Sequence, residues 1–365
     1  MTSLYLANCE TLSEFDAPGT TEWASIYKVI HLNVSLVDRL EKVSLPYNFK
    51  LYEPFKLPTD LSSTLSYEDC CNKRAEELYL LSNKLNVPIV VLYSGGIDST
   101  LVLISFLKII PEQELRQKLI VAMSLDSIRE NPNFYYTTIR KKCSIISSDI
   151  FGSLFDSKHL IVGGEHNDQL LGTDVAGRYY RLFSFSELHE KYNEQNVSKF
   201  FLYAGMSESN AKLWYSILDN HIKNAPIKIE TVFQFFWWLN FIFKWQSVFF
   251  RILLRIRTDL RSNIDQNFVD NYFHHFFSAD YFQVWSMKNP HLKIKDSWDS
   301  YKFIAKEVIY KYTKDNNYLQ NKVKIGSLYK LFLQKDTPIG LTSDYKYLYD
   351  IAPGDFYIAD NDFIK

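Results

Sequence analysis

The stretch Val87 to Thr100, VPIVVLYSGGIDST, decides the fold of this chain. A β-branched apolar run ends at a serine and two adjacent glycines, and apolar residues resume after an aspartate and two hydroxyl side chains. This order predicts a buried strand that turns sharply into a helix, from about Ser99 to Ile110. Glycines allow backbone angles that are closed to other residues, and they let a ligand approach the main chain. Because the chain has only 12 glycines in 365 residues, an adjacent pair at this turn indicates a specific requirement.

The mouth of this turn is predicted to bind an anion. A helix that starts after the glycines presents free N–H groups and the positive end of its dipole. Ser94, Ser99 and Thr100 add hydroxyl donors at the same place. A phosphate or pyrophosphate is the occupant that this pattern favours, and a turn capped by serine without a ligand is the alternative.

Asp98 lies inside the predicted anion site, where its negative charge indicates that a cation is bound as well. A carboxylate repels a phosphate unless a cation lies between them, and Mg²⁺ bridging phosphate oxygens is the cation that we expect. No lysine follows the glycines, so the pattern is not that of a Walker loop.

Further apolar runs extend the pattern into a sheet. Lys118 to Asp126, KLIVAMSLD, and Lys158 to Gly172, KHLIVGGEHNDQLLG, each contain a predicted strand, and Tyr135 to Phe151 is predicted to contain a helix. Ser66 to Leu85 begins with the spacing of a capping box and is predicted to be helical. Strands separated by helices favour a parallel sheet with crossover connections.

The expected fold is therefore α/β, a parallel sheet with flanking helices. We predict a small strand-and-loop segment over 1–65, an α/β core over 66–183, and a mainly helical part over 184–365. The apolar tract Val232 to Leu254 is interpreted as buried helix, because polar and charged residues interrupt it too often for a membrane span.

Composition narrows the classes of partner. Hydrophobic residues make up 47% and charged residues 23%, as in a globular protein with a sizeable core. The net charge of −1 disfavours a nucleic-acid partner. One basic strip keeps that alternative open, and it consists of Lys244, Arg251, Arg255, Arg257 and Arg261.

Two further features concern the cellular compartment. The N-terminal residues MTSLYLANCETLSEFD lack the basic start and the apolar segment of a targeting signal, so we expect a cytoplasmic protein with no membrane partner. The four cysteines form no CxxC pair, and we expect free thiols.

Ser94 to Ser99, SGGIDS, resembles the SGGxDS pyrophosphate loop (PP-loop) of the N-type ATP pyrophosphatases. This superfamily includes asparagine synthetases, GMP synthetases, NAD synthetases, tRNA sulfur-transfer enzymes and deazaguanine nitrile synthases. Its members cleave ATP between the α and β phosphates and transfer AMP to an oxygen of the substrate. The resemblance implies an adenine nucleotide alpha hydrolase-like fold, with ATP and Mg²⁺ as cofactors.

A second motif points to one branch of the superfamily. Val162 to Gly172, VGGEHNDQLLG, resembles the asparagine synthetase stretch SGEGSDELFGG. The positions that match are Gly164, Glu165, Asp168, Leu170 and Gly172. The positions that depart are Gly163, His166, Asn167, Gln169, Leu171 and Thr173. The cysteines offer neither the pair of the sulfur-transfer enzymes nor the zinc site of the nitrile synthases.

The resemblance implies roles for individual residues. Asp98 and Asp168 would hold Mg²⁺ against pyrophosphate, and Glu165 would handle the incoming nitrogen nucleophile as a base or by binding ammonium. The backbone near Met123 would contact adenine. The full set of implied nucleotide-binding positions is Leu92, Ser94, Gly95, Gly96, Asp98, Ser99, Thr100, Met123, Gly163 and Gly164.

A third segment supplies a cation. Leu319 to Ser327, LQNKVKIGS, resembles the R-x-K segment of asparagine synthetases, in which a lysine neutralises charge on the transferring phosphate. Lys324 is the predicted residue, and Lys322 is the second choice. A solvated edge of the protein is the alternative for both lysines.

The sequence thus predicts an asparagine synthetase-like, ATP-dependent carbon–nitrogen ligase. It would adenylate a small carboxylate and release AMP and pyrophosphate when ammonia or an amine attacks. The segment before the loop is too short for a glutaminase domain, so we expect nitrogen from free ammonia, an amine, or a separate glutaminase or ammonia-supplying subunit. One alternative is a PP-loop enzyme that modifies a nucleobase or nucleic acid. The other is a non-catalytic ATP-binding protein, suggested by His166 and Gln169.

Overall fold

A computed structural model gives the architecture of the protein. It describes residues 4–6, 26, 29, 38–41, 55–148, 154–155, 158–254, 256, 261, 263–322, 340–342 and 347–348. Lys324, Cys9, Arg255 and Arg257 lie outside the described residues.

Two sheets are present in this part of the chain. The strands, in chain order, are β1 Leu4–Leu6, β2 Ile89–Leu92, β3 Leu119–Met123, β4 Ser144–Ser147, β5 Leu160–Gly163, β6 Phe273–His275, β7 Gly340–Thr342 and β8 Tyr347–Leu348. The larger sheet has the order β4-β3-β2-β5-β6 and all of its pairs are parallel. At its centre, Val91 of β2 pairs with Val121 of β3 and Val162 of β5. The predicted parallel sheet with flanking helices is confirmed at this level.

The smaller sheet is antiparallel and has the order β1-β7-β8. It joins residues 4–6 to residues 340–342, so the two ends of the described chain pair with each other.

Helices account for most of the remaining structure. In chain order they are α1 Tyr67–Leu85, α2 Ile97–Ile109, α3 Leu115–Lys118, α4 Leu125–Glu130, α5 Pro132–Phe134, α6 Arg140–Lys142, α7 Asn167–Leu171, α8 Asp174–Leu182, α9 Glu194–Tyr203, α10 Glu208–Lys223, α11 Val232–Phe243, α12 Trp245–Leu253, α13 Gln266–Asn271, α14 Asp280–Lys288, α15 Phe303–Thr313 and α16 Asn316–Asn321. Single turns of 3₁₀-helix occur at Glu112–Glu114, Ser186–His189, Phe276–Ser278, Pro290–Leu292 and Trp298–Ser300, and a π-helical turn occurs at Tyr135–Ile139.

The central strand is buried on both faces. Successive side chains of a strand point to opposite faces, and in β2 they enter two different cores. Ile89 and Val91 pack in the larger core, which also holds buried residues of α1 and α2. Val90 and Leu92 pack in a second core with residues of α12 and α13. Helices therefore cover both faces of the sheet, as is usual for parallel strands.

Helix α1 begins as its sequence predicts. The Ser66 hydroxyl accepts a hydrogen bond from the Asp69 N–H at 3.1 Å, and the Asp69 carboxylate accepts one from the Ser66 N–H at 3.3 Å. These reciprocal bonds satisfy two N–H groups that a helix start leaves unpaired.

Three elements differ from the predictions. Helix α2 begins at Ile97 rather than Ser99, because Gly96 is its N-cap and Asp98 is already inside the first turn. The segment predicted to contain a helix also supplies the edge strand β4, whose side chains alternate between half-buried and exposed. Strand β6 comes from the part predicted to be mainly helical, and it completes the large sheet next to β5.

The apolar tract Val232 to Leu254 forms helices α11 and α12, which are almost wholly buried. The interpretation as buried helix is confirmed. In the described part of the chain, no helix is both long enough and apolar enough to cross a bilayer. Cys70, Cys71 and Cys143 are buried free thiols.

Candidate functional site

The loop after β2 has the geometry that its sequence requires. Gly95 has a φ of +78°, and a Cβ at this position would lie 2.5 Å from the Ser127 carbonyl oxygen. Only glycine combines this backbone angle with this close approach. Gly96 caps α2 without a side-chain hydrogen bond, so the N–H groups of the first turn are left for another partner.

The loop hydroxyls are partly engaged with each other. Ser94 Oγ and Ser99 Oγ lie 3.0 Å apart, and Ser99 Oγ accepts a bond of 3.1 Å from the Ser94 N–H. Thr100 Oγ1 lies 3.4 Å from Tyr93 Oη and 3.3 Å from Tyr318 Oη, and the Thr100 side chain is buried. Thr100 therefore supports the loop from inside the protein.

The second motif forms a similar turn at the end of the neighbouring strand. Strand β5 ends at Gly163, and the chain enters α7 through Gly164, Glu165 and His166. His166 is the N-cap and has a φ of +74°, a left-handed conformation that is uncommon for residues with a side chain. Asp168 lies in the first turn of α7.

The two motifs touch at Gly164. A Cβ on Gly164 would lie 3.1 Å from the Ser99 nitrogen and 3.3 Å from the Asp98 carbonyl carbon. The backbone of the second motif therefore packs directly on the first turn of α2. Because β2 and β5 are parallel neighbours, the two motifs lie side by side at the carboxyl edge of the sheet.

Lys302 joins the two motif aspartates. Its Nζ donates to Asp98 Oδ1 at 2.8 Å and Oδ2 at 2.7 Å, and it contacts Asp168 Oδ1 at 2.6 Å. The lysine side chain is 6% exposed, whereas those of Asp98 and Asp168 are 27% and 46% exposed. One buried cation thus holds two carboxylates that belong to different strand ends.

The charges of this trio shift the pKa values of its members. Burial lowers the pKa of Lys302, but the carboxylates of Asp168 and Asp98 outweigh it, so the pKa is raised and the amine stays charged. Burial raises the pKa of Asp98, and Asp168 adds to that rise against the opposing effect of Lys302. Burial and the neighbouring carboxylate of Asp168 therefore both favour the protonated form of Asp98.

Polar partners fix the orientation of both aspartates. Asn167 Nδ2 donates to Asp98 Oδ1 at 2.6 Å, and Tyr67 Oη donates to Asn167 Oδ1 at 2.5 Å. Tyr301 Oη donates to Asp168 Oδ1 at 3.3 Å. The asparagine that departs from the asparagine synthetase pattern thus holds the loop aspartate in place.

The donor set at this point suits a magnesium ion bound together with phosphate. Mg²⁺ is usually held by one or two carboxylates plus phosphate oxygens and water, and Asp98 and Asp168 supply the carboxylates. Among the described residues there is no cluster of three or more His, Cys, Asp or Glu side chains that could hold a metal alone. The residues fit the ion on one condition, which is that Lys302 withdraws from between the carboxylates.

Glu165 lies in an ion pair that its motif does not predict. Arg251 of α12 contacts Glu165 Oε2 through Nη2. The Glu165 side chain is 15% exposed and that of Arg251 is 40% exposed. The ion pair orients the carboxylate, whose oxygens can also accept hydrogen bonds from an N–H donor.

Lys322 reaches the loop through a carboxylate. Its Nζ contacts Glu130 Oε1 at 2.9 Å, and the two side chains are 5% and 2% exposed. A Cβ on Gly96 would lie 3.5 Å from Glu130 Oε1. The structure therefore places Lys322 beside the glycine pair, and the predicted first choice, Lys324, lies outside the described residues.

A polar cavity of about 220 Å³ opens next to the same loop. It is bordered by Tyr318, whose hydroxyl also donates to the Gly95 carbonyl oxygen at 3.4 Å. The other lining residues are Asn131, Asn133, Phe134, Thr137, Thr138, Tyr312, Thr313 and Asp315. A small polar molecule can therefore lie within reach of the loop.

Leu92 and Met123 end adjacent strands, β2 and β3, at the same edge of the sheet. Both side chains are buried, at 7% and 4% exposed, so only backbone groups at these positions can face a ligand. The backbone contact to adenine that the resemblance implies near Met123 stays a prediction.

The basic strip is engaged within the protein where the structure describes it. Lys244 pairs with Asp174 at 3.5 Å, and Arg251 pairs with Glu165. Arg261 is buried and its Nε donates to the Ile256 carbonyl oxygen at 2.8 Å. These three cations have roles in the fold that do not require a nucleic acid.

Sequence patterns miss the two cations that pair with the motif carboxylates. Lys302 lies 204 positions from Asp98, and its surroundings in the sequence match no motif. The sequence marks Arg251 only as a member of the basic strip. A buried lysine and a carboxylate-paired arginine leave no local signal, because their partners are distant in the chain.

Comparison with protein-family models, with curated proteins and with solved structures gives no match for this chain.

Proposed function

We propose that this protein is an asparagine synthetase-like, ATP-dependent amide-forming ligase of the PP-loop type. The observation that carries the proposal is the meeting of Asp98 and Asp168 on one cation, Lys302 Nζ. Two carboxylates from separate strand ends seldom share a buried cation without a purpose, since burial of charge is costly. Their position, at the mouth of a glycine turn and an uncapped helix start, suits a nucleotide diphosphate and its metal.

In the proposed reaction, a carboxylate oxygen of the acceptor attacks the α-phosphorus of ATP. The bond to the bridging oxygen breaks and pyrophosphate leaves. The nitrogen nucleophile then attacks the acyl carbon, loses a proton and displaces AMP. Bound Mg²⁺ would supply positive charge to the phosphates.

Different residues of the chain have different roles in this proposed reaction. The turn at Gly95 and Gly96 and the first turn of α2 bind the leaving pyrophosphate through N–H groups. Lys302 and Lys322 are the described cations that can compensate the charge that develops on the phosphates. Glu165, oriented by its ion pair with Arg251, binds the N–H groups of the nucleophile. The acceptor occupies the polar cavity beside Tyr318.

The test is product analysis with α-labelled ATP, Mg²⁺, ammonium chloride and pooled cell metabolites. The expected products are AMP and pyrophosphate rather than ADP and phosphate. Asp98→Asn should abolish AMP release. Asp126→Asn is the matched control, because Asp126 is likewise the second residue of a helix that follows a strand of the same sheet, and it should retain activity.

Two outcomes contradict the proposal. One is release of AMP by Asp98→Asn at the wild-type rate. The other is formation of ADP by the wild-type protein, which would indicate phosphoryl transfer instead of adenylation.

A second function, ATP binding without turnover, is favoured by one observation. Lys302 fills the position between Asp98 and Asp168 that a metal would take. If the lysine stays there when ATP binds, it replaces Mg²⁺ permanently. Magnesium-independent ATP binding with no AMP from any metabolite pool would support this second function.

A further inference from the structure

Two buried histidines lie side by side behind Glu165, and we call them the histidine pair: His166 and His275. Their ring centroids are 5.1 Å apart, and both side chains are fully buried. His166 Nε2 lies 3.0 Å from the Trp245 carbonyl oxygen, and His275 Nε2 lies 3.0 Å from the Phe249 carbonyl oxygen. Each ring is thus fixed by one bond to the backbone of α12.

These bonds determine which nitrogen carries hydrogen. A carbonyl oxygen can only accept, so each Nε2 must be the N–H donor and each Nδ1 of a neutral ring is an acceptor. Neither Nδ1 atom has a hydrogen-bond partner among the described residues. The two rings cannot satisfy each other, because neither Nδ1 has a proton to donate. Unpaired buried polar atoms are rare in folded proteins and require an explanation.

The pair adjoins the turn that carries Glu165. A Cβ on Gly163 would lie 2.8 Å from His275 Nδ1, so only glycine allows this nitrogen to approach the end of β5. The next residue, Gly164, packs on Asp98 and Ser99 from the other motif. The histidine pair therefore lies on one side of the turn, and the loop of the proposed ATP site lies on the other.

The surroundings favour a neutral donor molecule. The His166 ring packs on the Trp245 ring at 4.2 Å, and the Arg39 guanidinium lies 4.6 Å from that same indole. Burial lowers the pKa of His275 to about 4, with Glu165 opposing and Arg251 assisting the shift. Apolar rings and two nearby guanidinium groups disfavour a bound ammonium ion more than they disfavour ammonia.

We propose that the histidine pair binds the nitrogen nucleophile, as neutral ammonia or an unhindered primary amine, through N–H bonds to the two Nδ1 atoms. This inference rests on the proposed function and names the class of its second substrate. Ammonia carries three N–H groups, so it can donate to both Nδ1 atoms and keep one N–H group for a further acceptor. A tertiary amine has no N–H group when neutral and cannot bind in this way.

The test uses the full chain with ¹⁵N-labelled histidine and follows the Nδ1 resonances by NMR without ATP or an acceptor. Ammonia is added in buffer alkaline enough that most of it is uncharged, and trimethylamine is the comparison. His275→Gln assigns one resonance, because glutamine keeps a donor for the Phe249 carbonyl and removes the imidazole Nδ1. His166→Asn assigns the other, because asparagine tolerates a positive φ.

The expected result is that both Nδ1 resonances move with ammonia and stay in place with trimethylamine. His274 is the internal control: it is the preceding strand residue, points to the opposite face and has an unpartnered Nε2. Its resonances should stay in place. Equal movement with both amines, movement of His274 alone, or no movement would overturn the inference and leave the pair as a water site or a structural contact.

A kinetic measurement separates this inference from the proposed function. Where AMP release is observed, His275→Gln should raise KM for ammonia about tenfold or more and leave KM for ATP unchanged. His274→Gln should change neither constant. Absence of AMP release with intact Nδ1 responses contradicts the proposed function alone, and AMP release with an unchanged KM for ammonia in His275→Gln contradicts the histidine site alone.

Discussion

Lys302 is the residue that alters the chemistry expected from the sequence. The motifs predict that Asp98 and Asp168 meet through a metal ion, and the structure has them meet through an amine. The two interpretations are compatible if the lysine exchanges with Mg²⁺ when a nucleotide binds. In that case Lys302 keeps the carboxylates together without a metal and moves to the phosphates afterwards.

The exchange leads to a prediction for Lys302→Met. Removal of the amine leaves two carboxylates facing each other and should cost about 1–3 kcal/mol of unfolding free energy, below the value for a fully buried pair because Asp168 is 46% exposed. Mg²⁺ alone should then raise Tm of the variant and not that of the wild type. Differential scanning fluorimetry with and without Mg²⁺ measures this.

Lys306→Met provides the control for this measurement. Lys306 lies one turn further along α15, is also buried, and donates to the Asp299 carbonyl oxygen at 2.9 Å. An equal Mg²⁺ effect in both variants would show that the carboxylates do not form the metal site.

His275 leads to a prediction for the pH dependence of stability. Burial lowers its pKa from 6.5 to about 4, so the unfolded chain binds more protons between these values. Stability should therefore fall as pH decreases from about 6.5 to about 4, with His275 contributing up to about 3 kcal/mol. His274, whose pKa is lowered to about 3 mainly by burial, acts in the same direction.

The measurement is urea unfolding of the wild type and His275→Gln across this pH range. The variant should lose less stability toward acid than the wild type does. Parallel curves for the two proteins would contradict the buried neutral state of His275.

The sequence predicted part of the site at the residue scale. Asp98, Asp168 and Glu165 could be identified because each lies within a short motif at the end of a strand. Lys302, Arg251 and the histidine pair could not, since their partners are brought close only by the fold. His275 in particular lies in a strand that the apolar pattern of the sequence does not predict.

At the scale of elements, the contact at Gly164 joins the two motifs. Gly164 follows strand β5, and its missing side chain lets the backbone of this turn rest on the first turn of helix α2. Glycine is required at this position because the two backbone segments approach closely, and not because of an unusual backbone angle.

Gly164→Ala should therefore separate the motifs. The added Cβ would lie 3.1 Å from the Ser99 nitrogen, and relief of this contact should cost about 1–3 kcal/mol of stability. Because the displaced atoms belong to the anion site, the rise in Tm on addition of ATP should be lost. Thermal unfolding with and without ATP is the measurement.

Gly205→Ala is the comparison for this variant. Gly205 has a φ of +93° and no atom within 4 Å of an added Cβ, so the change introduces backbone strain of about 1–2 kcal/mol without a steric contact. It should keep the ATP-induced rise in Tm. The same loss in both variants would mean that Gly164 affects stability only.

Strands and helices could be predicted where the hydrophobic pattern of the sequence was long or strongly apolar. The strands at Ile89–Leu92, Leu119–Met123 and Leu160–Gly163 are buried runs, and α1 has a clear start signal. The edge strands were missed for physical reasons. Ser144–Ser147 has only two apolar residues and lies at the edge of the sheet, and Phe273–His275 is only three residues long.

At the scale of the molecule, the sheet takes strands both from the predicted α/β core and from the predicted mainly helical part. Strand β6 comes from the part 184–365 and pairs with β5 of the part 66–183. The larger core also contains buried residues of both parts, such as Val91 and Phe236. The two parts should therefore unfold together.

Two sets of native probes can test this cooperativity. The thiols of Cys70, Cys71 and Cys143 are buried in the part 66–183, and six tryptophans report on the other part: Trp214, Trp237, Trp238, Trp245, Trp285 and Trp298. In a Cys9→Ser, Trp23→Phe background, thiol labelling and tryptophan fluorescence should give the same urea midpoint. Two separate midpoints would show that 66–183 and 184–365 are independent domains.

The most direct test of the central claim is a crystal structure of the protein with Mg²⁺ and an ATP analogue whose α,β-bridging oxygen is replaced by carbon. We predict the terminal phosphates at Gly95 and Gly96, a metal ion held by Asp98 and Asp168, and Lys302 displaced toward the phosphates. A triphosphate bound elsewhere, with Lys302 still between the two aspartates, would contradict the account.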